Sequence, residues 1–407
     1  MRLERMAQLG WAIAAVVLGA CAATQREEAA DREVEVEMAG GRLELAWETQ
    51  VELPKGTRGF DSTLLESLGD VDGDGVPDLA LIAWLQFASV SVREGWGVAA
   101  VSGADGKVLT EPVAVEWNPD VGNLFPAGTA PLSKRSVVMW MTDQEWMARG
   151  PVAPNERGRL FELSLVDGKL DAVISQEPLG LHSRGRGQPP MVFVRKSSAP
   201  TGETRVQELA LDADASRSVE LLAKDGDPAR DQLWFVHEKR ERFEVERVNG
   251  TVATAPYRAR GGWGVAKDAA WLRERDGDGI VTLIVSSGPT QAVFRFPLRR
   301  DGSAEAQRVF VEGLERVDEV EATEDVNADG TDELLVRGTG SDNADVLLLL
   351  CGRSLRRLSV LELPPGFASD DWFENRLHVV RDAASRARAF VGSAGKKPRV
   401  LCVTITP

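Results

Sequence analysis

The chain of 407 residues carries 48 Lys and Arg against 63 Asp and Glu, a formal net charge of −15. That is the wrong sign for a nucleic-acid binder, whose affinity comes from Lys and Arg on phosphates. With 43% apolar and 27% charged residues the composition is that of a globular protein able to bury a core, which excludes general disorder. Glycine at 39 and proline at 20 favour many turns.

In chain order, Arg2 and Arg5 precede an apolar run from Leu9 to Ala20. That run is shorter than the roughly 20 residues of a spanning helix and fits the h-region of a signal peptide. It ends in Leu18, Gly19, Ala20 and Cys21. Small residues before a cysteine resemble the lipobox of bacterial lipoproteins. The resemblance implies a signal peptide over residues 1–20 and acylation of Cys21, which holds the chain on a membrane without spanning it. An ordinary secretory signal cut after Ala20 or Ala23 is the alternative. Ala22, in place of the aspartate of inner-membrane retention, implies the outer membrane by the same resemblance. Residues 21–41 are polar and charge-rich, and read as a tether.

From Arg42 the pattern becomes β-like. RLELAWETQVEL, Arg42 to Leu53, is a strand with no repeat of its own, and is expected to pair with the last strand, RVLCVTI, Arg399 to Ile405. Between them an acidic loop recurs directly before an apolar strand. It reads DVDGDGVPDLALIA from Asp70 and DVNADGTDELLVRG from Asp325, with weaker copies ERDGDGIVTLIVSS from Glu274 and AKDGDPARDQLWFV from Ala223. The starts at 223, 274 and 325 are 51 residues apart, and Asp70 lies three such steps before Ala223. Two acid-poor slots between them fit strands at SVVMWM, Ser136 to Met141, and MVFV, Met191 to Val194, and a further slot fits RDAASRARAFVGS, Arg381 to Ser393.

Apolar alternation on both sides of DG or NG turns predicts hairpins, as in GVAAVSGADGKVL from Gly97 and RFEVERVNGTVATA from Arg242. Seven units of about 51 residues fill residues 42–407. A lone meander leaves one sheet face bare, and radial packing of seven buries those faces, so the expected fold is an all-β, seven-bladed β-propeller. An open solenoid is the alternative.

The acidic loops have the chemistry of a hard-cation site. In the first, Asp70, Asp72, Asp74 and Asp78 stand at positions 1, 3, 5 and 9, with Gly75 at 6 and the Val76 carbonyl at 7. Calcium takes six to eight oxygens, often with a carbonyl from position 7 and a glycine that permits the bend. The second loop offers Asp325, Asn327, Asp329, the Thr331 carbonyl and Glu333. The third offers Glu274, Asp276, Asp278 and the Ile280 carbonyl, with Thr282 in place of the ninth-position acid. The copy at Ala223 keeps only Asp225, Asp227 and Asp231, and no tight site is expected there. An EF-hand is excluded, because its twelfth-position glutamate is replaced by Leu81 or Val336. Magnesium fits less well, since it keeps more of its waters.

GFDSTLLESLGDVDGDGVPDLALIA, Gly59 to Ala83, resembles the FG-GAP repeat of integrin α-subunit propellers and of bacterial proteins with VCBS repeats. The resemblance implies an integrin-α-like propeller whose loops bind Ca2+ through the residues just named. It departs from the pattern at Phe60, which is followed by Asp61 instead of glycine.

No catalytic motif emerges. His182, His237 and His378 are far apart, and neither GxSxG nor a P-loop is present. The chain is therefore expected not to be an enzyme. The functional expectation is a lipid-anchored, calcium-binding propeller of the bacterial cell envelope that binds a protein or glycan. The alternatives are an outer-membrane assembly scaffold and a propeller-fold polysaccharide hydrolase or lyase. Trp96 and Trp146 fall in expected loops, where an indole can stack on a sugar or anchor a protein. Cys351 and Cys402 lie in apolar strands and read as two buried thiols, with a disulfide as the alternative.

Overall fold

The structure, a computed structural model, describes residues 41–55, 57–87, 93–116, 124–133, 136–143, 158–166, 169–174, 178–182, 191–197, 204–211, 218–221, 234–239, 242–247, 252–256, 265–275, 280–287, 290–297, 307–367, 377–393 and 397–407. Every regular element among them is a strand. Cys21 and the expected signal peptide and tether up to residue 40 lie outside the described residues.

β1 is Arg42–Gln50. A first sheet follows from β2 (Thr57–Gly69), β3 (Asp78–Phe87), β4 (Arg93–Val101) and β5 (Val113–Glu116), and a second from β6 (Leu124–Ser133), β7 (Ser136–Asp143), β8 (Gly158–Ser164) and β9 (Leu170–Ile174). The third comprises β10 (Pro178–His182), β11 (Met191–Ser197), β12 (Thr204–Leu211) and β13 (Ser218–Leu221); the fourth has three described strands, β14 (Trp234–Lys239), β15 (Arg242–Arg247) and β16 (Val252–Pro256). The fifth is β17 (Val265–Leu272), β18 (Ile280–Ser287), β19 (Thr290–Pro297) and β20 (Gln307–Val309). The sixth is β21 (Arg316–Ala322), β22 (Leu334–Thr339), β23 (Asp345–Leu350) and β24 (Arg357–Glu362). The last contains β25 (Leu377–Arg381), β26 (Ala387–Gly392), β27 (Arg399–Thr406) and, as its outer strand, β1.

Each sheet is an antiparallel meander in which sequence neighbours pair. The exception is the last, where β1 runs antiparallel to β27 from Arg42 opposite Thr406 to Gln50 opposite Arg399. The two ends of the folded chain thus share one sheet, as the orphan strand at Arg42 predicts. The expected strands at Ser136 and Met191 are β7 and β11, each the second strand of its sheet.

Side chains explain how the sheets meet. β23 reads DVLLLL and is buried along its whole length. A strand with both faces buried reads as a near-continuous apolar run, here Val346 to Leu350 after Asp345. Leu347 and Leu349 join a core with Leu377, Ala389, Val391, Leu401 and Val403 of the last sheet, while Leu348 and Leu350 join Leu272, Ile280 and Val293 of the fifth. The last sheet divides in the same way: Leu401 and Val403 face the sixth, whereas Phe390, Val400 and Cys402 pack on Leu65, Leu79, Leu81 and Val101 of the first. Each such Leu or Val is worth about 1.5–3 kcal/mol when fully buried. Along the chain the first strands also touch: β2 with β6, β6 with β10, β14 with β17, β17 with β21, β21 with β25, and β25 with β2.

Cys351 and Cys402 are both buried and free, as two thiols rather than a bridge. Burial pushes the Cys402 thiol up to about 11.

Candidate metal centre

The β2–β3 turn is built by its own aspartates. Asp70 accepts from the Gly73 amide at 2.6 Å through Oδ1 and from the Gly75 amide at 3.2 Å through Oδ2. Asp72 accepts from the Asp74 amide at 3.1 Å, and Asp74 from the Val76 amide at 2.8 Å. Asp78 closes the loop, taking the Val71 and Asp72 amides on Oδ2 at 2.6 and 3.2 Å and the Gly103 amide on Oδ1 at 3.0 Å. Gly73 and Gly75 adopt φ of 92° and 91°, where a Cβ is strained.

This folding draws three acids together. Carboxylate oxygens of Asp70, Asp72 and Asp78 lie within 4.8 Å of one another, with Asp70 and Asp78 buried and Asp72 exposed. At an effective dielectric constant near 20, two charges at that distance repel by about 3 kcal/mol. Burial raises the Asp78 carboxyl above its ordinary range, and the charge of Asp72 adds to the rise against the amides that lower it. The nearby Lys107 is engaged by Asp105, at 2.5 Å. An all-oxygen donor set crowded in this way fits a hard divalent cation, which would be held by Asp70, Asp72 and Asp78 and would supply the missing positive charge. Asp74 is exposed and lies outside the close cluster, and the Val76 backbone stays in the turn ahead of β3.

The β21–β22 turn repeats the design with differences. Asp325 accepts from the amides of Asp329 at 3.0 Å and Gly330 at 2.9 Å, Asn327 from Asp329 at 2.8 Å, and Asp329 from Thr331 at 2.9 Å. Glu333 stands where Asp78 does and accepts the Asn327 amide at 3.0 Å through Oε1. Its Oε2 is buried with no hydrogen-bond partner. Burial, with the charges of Asp325 and Asp329 behind it, pushes the Glu333 carboxyl up to about 8. An orphaned carboxylate oxygen inside an acidic loop is a natural cation ligand. Cys351 donates its thiol to Asp329 Oδ2 at 3.0 Å, a contact that no motif in the loop announces. Although burial raises the Asp329 carboxyl, this bond and those from Thr331 and Asn327 outweigh it and hold the group below its usual range. Ala328 has φ of 60° at the place of Gly73, so the loop keeps its shape without the glycine.

Both turns are fastened to the sheet before them. The Ala383 amide donates to the Gly75 carbonyl at 2.8 Å, joining the last sheet to the first, and the Arg275 amide donates to the Gly330 carbonyl at 2.6 Å, joining the fifth to the sixth. Arg388 reaches the Gly103 carbonyl at 3.4 Å, and the buried Arg295 reaches the carbonyls of Gly352 and Arg353.

In the third acidic loop, Glu274 is half-buried and bridges to Thr331, and Asp276 and Asp278 lie outside the described residues. Ile280 opens β18 opposite Leu272, whereas Val76 lies in the turn ahead of β3 and Thr331 forms only the isolated bridge to Glu274. The copy with Asp225, Asp227 and Asp231 also lies outside the described residues, as does Trp146. Trp96 is not in a loop: it sits in β4, opposite Trp84 of β3 and Val115 of β5. Flanking Gly95 and Gly97 give the segment a loop-like sequence, yet the ladder runs through both.

The histidines fall on three different sheets, in β10, β14 and β25. Desolvation holds His378 down at about 4, against about 6.5 unfolded. The folded state therefore binds fewer protons than the unfolded chain between those values. Stability is whole above pH 6.5 and falls as pH drops towards 4, by about 2–3 kcal/mol from this residue. Chemical denaturation of the wild type and H378L across that window checks this, and H378L is expected to flatten the slope.

No protein-family model matches the chain, and no curated protein matches it by sequence. Solved structures do. The polysaccharide lyase Uly1 is 8% identical with a TM-score of 0.45, over 88% of this chain and 99% of that one. An oligogalacturonate lyase in complex with manganese is 10% identical with a TM-score of 0.34, over 90% and 98%. An inactive virginiamycin B lyase from Staphylococcus aureus is 12% identical with a TM-score of 0.38, over 87% and 98%. The expectation of a non-enzyme does not stand: missing GxSxG and P-loop motifs exclude only the chemistries those motifs serve, and the names of these structures include lyases.

Proposed function

We propose that the chain is a seven-bladed, integrin-α-like β-propeller whose acidic corners bind calcium, held at the bacterial cell envelope by lipidated Cys21, where it engages a glycan or protein. The ring is supported by sheets that bury apolar faces against their sequence neighbours, and by β1 completing the last sheet so that the last packs on the first. The observation that carries the cation reading is the gathering of Asp70, Asp72 and Asp78 at that closing junction.

Calcium suits the site because exposed Asp72 and Asp74 leave room for water or a ligand's oxygens in a shell of six to eight. A cation at 100 times its dissociation constant stabilises by about 2.7 kcal/mol. D72A/D74A, which alters two exposed side chains, is therefore expected to lose the first turn's share of the calcium-dependent rise in melting temperature expected of the wild type over chelator. Identical melting of the wild type with calcium and with chelator would remove the proposal. For the anchor, C21S is expected to free the protein from membranes, and retention through a salt wash would count against acylation.

A second reading is a propeller-fold polysaccharide hydrolase or lyase, the class to which two neighbours' names belong. Purified protein is incubated with neutral and uronate polysaccharides, with and without calcium. New reducing ends, with ultraviolet absorbance where elimination leaves a double bond, are the expected signature of cleavage. A panel without product sinks this reading and leaves the binding one standing.

A further inference from the structure

The turn between β25 and β26, residues 382–386, occupies in the last sheet the place of the two acidic turns, and its sequence, DAASR, has lost all acids but the first. The turn is tighter, residues 382–386 against residues 70–77 between β2 and β3, and it keeps two features of the acidic turns. Asp382 is buried like Asp70, and Ser385, three residues on, has φ of 62°, matching Gly73 at 92° and Ala328 at 60°. Asp382 Oδ1 accepts the amides of Ala384 and Arg386, both at 2.9 Å. Arg386, the last residue before β26 and exposed, donates from Nε to Asp382 Oδ2 at 2.8 Å. Arg388 Nε stands behind, 3.8 Å from the same oxygen.

We propose that Arg386 takes the place of the divalent cation in this corner, as a covalently attached counter-ion for the buried Asp382, so that the corner keeps its shape without metal. The proposal rests on the cation reading of the acidic turns and extends it to a third corner. A guanidinium is always charged and offers directed donors, so it neutralises a carboxylate in fixed geometry. Its charge also accounts for the Asp382 carboxyl lying below its usual range: burial raises it, and the Arg386 amide and guanidinium outweigh that. The consequence concerns the closing junction. Ala383, beside Asp382, donates to Gly75 O at 2.8 Å, so the last sheet brings a metal-free corner against the metal-dependent corner of the first.

Amide hydrogen exchange on the full chain tests this, with calcium and with chelator. In the wild type, chelation is expected to cost protection at Gly73, at Gly75 and at Ala383, whose acceptor is Gly75, while Ala384 and Arg386 keep theirs. In chelator, R386Q is expected to lose protection at Ala384 and to melt lower than the wild type, with R386K restoring part of both. Arg388 makes the loss partial. Wild-type protection and melting in R386Q would overturn the proposal, as would loss of the Ala384 and Arg386 amides on chelation of the wild type. The two readings fail separately: without cation binding chelator moves neither corner yet R386Q still melts low, whereas a silent R386Q leaves the D72A/D74A response intact.

Discussion

R337A is expected to lower the unfolding free energy by about 3–5 kcal/mol, the usual cost of removing one partner from a buried ion pair. Arg337 of β22 is 1% exposed, its Nη1 lies 2.8 Å from Glu319 Oε2 of β21, and its Nη2 donates to the Phe367 carbonyl at 2.6 Å. The substitution leaves the Glu319 charge buried without its guanidinium and frees a carbonyl in the link from the sixth sheet to the last. Against a total stability of about 5–15 kcal/mol the loss is large. R337M/E319L removes both charges and is expected to recover most of it, since well-packed apolar pairs often match buried ion pairs. Urea unfolding of the two variants checks this; a double mutant as unstable as R337A would mean that lost packing, not a stranded charge, is responsible.

G352A is expected to be at least as damaging locally. A Cβ on Gly352 would stand 1.8 Å from the Asp332 carbonyl oxygen, and one on Gly103, its counterpart beside the first acidic turn, 1.9 Å from that of Pro77. Both contacts are with backbone, so the turn itself must move, at a cost of about 3 kcal/mol or more. Asp332 also holds Arg273 at 2.7 Å and accepts its amide at 3.2 Å, and Gly352 accepts from Arg295, so the displacement reaches the fifth sheet. Thermal melts should show G352A and G103A well below the wild type, each with a reduced response to calcium. G73A is the contrasting case: no atom lies within 4 Å of its added Cβ, so only the strain of φ 92° remains, about 1–2 kcal/mol. Equal losses in G73A and G352A would show that backbone strain and not the carbonyl contact governs these turns.

Much of this organisation is legible in the sequence because it is periodic. A recurring acid-glycine turn before an apolar strand marks the start of β3 and β22, and a strand without a unit of its own at Arg42 marks the pairing with β27. What stays hidden depends on contacts between units. Nothing in DVNADGTDE announces that Cys351, 22 residues beyond Asp329, will donate to it, or that Glu333 Oε2 will be orphaned while the shorter Asp78 finds the Gly103 amide. Arg386 is hidden for a different reason: a guanidinium is not recognised as equivalent to a metal ion until the carboxylate it faces is seen to be buried. In the third acidic loop position seven, Ile280, begins β18, whereas Val76 at position seven of the first precedes β3. Trp96 misleads because its flanking glycines outweigh the alternation that places it in β4.

Calorimetric titration of the chelator-stripped chain with calcium decides whether carboxylates at the sheet corners hold a divalent cation. Saturable binding is expected, with a dissociation constant of about 0.1–1 mM, the range of extracellular calcium modules, and with one site lost in D70N/D72N and another in E333Q. A titration without saturable heat at any calcium concentration, or one unchanged by those substitutions, would contradict it.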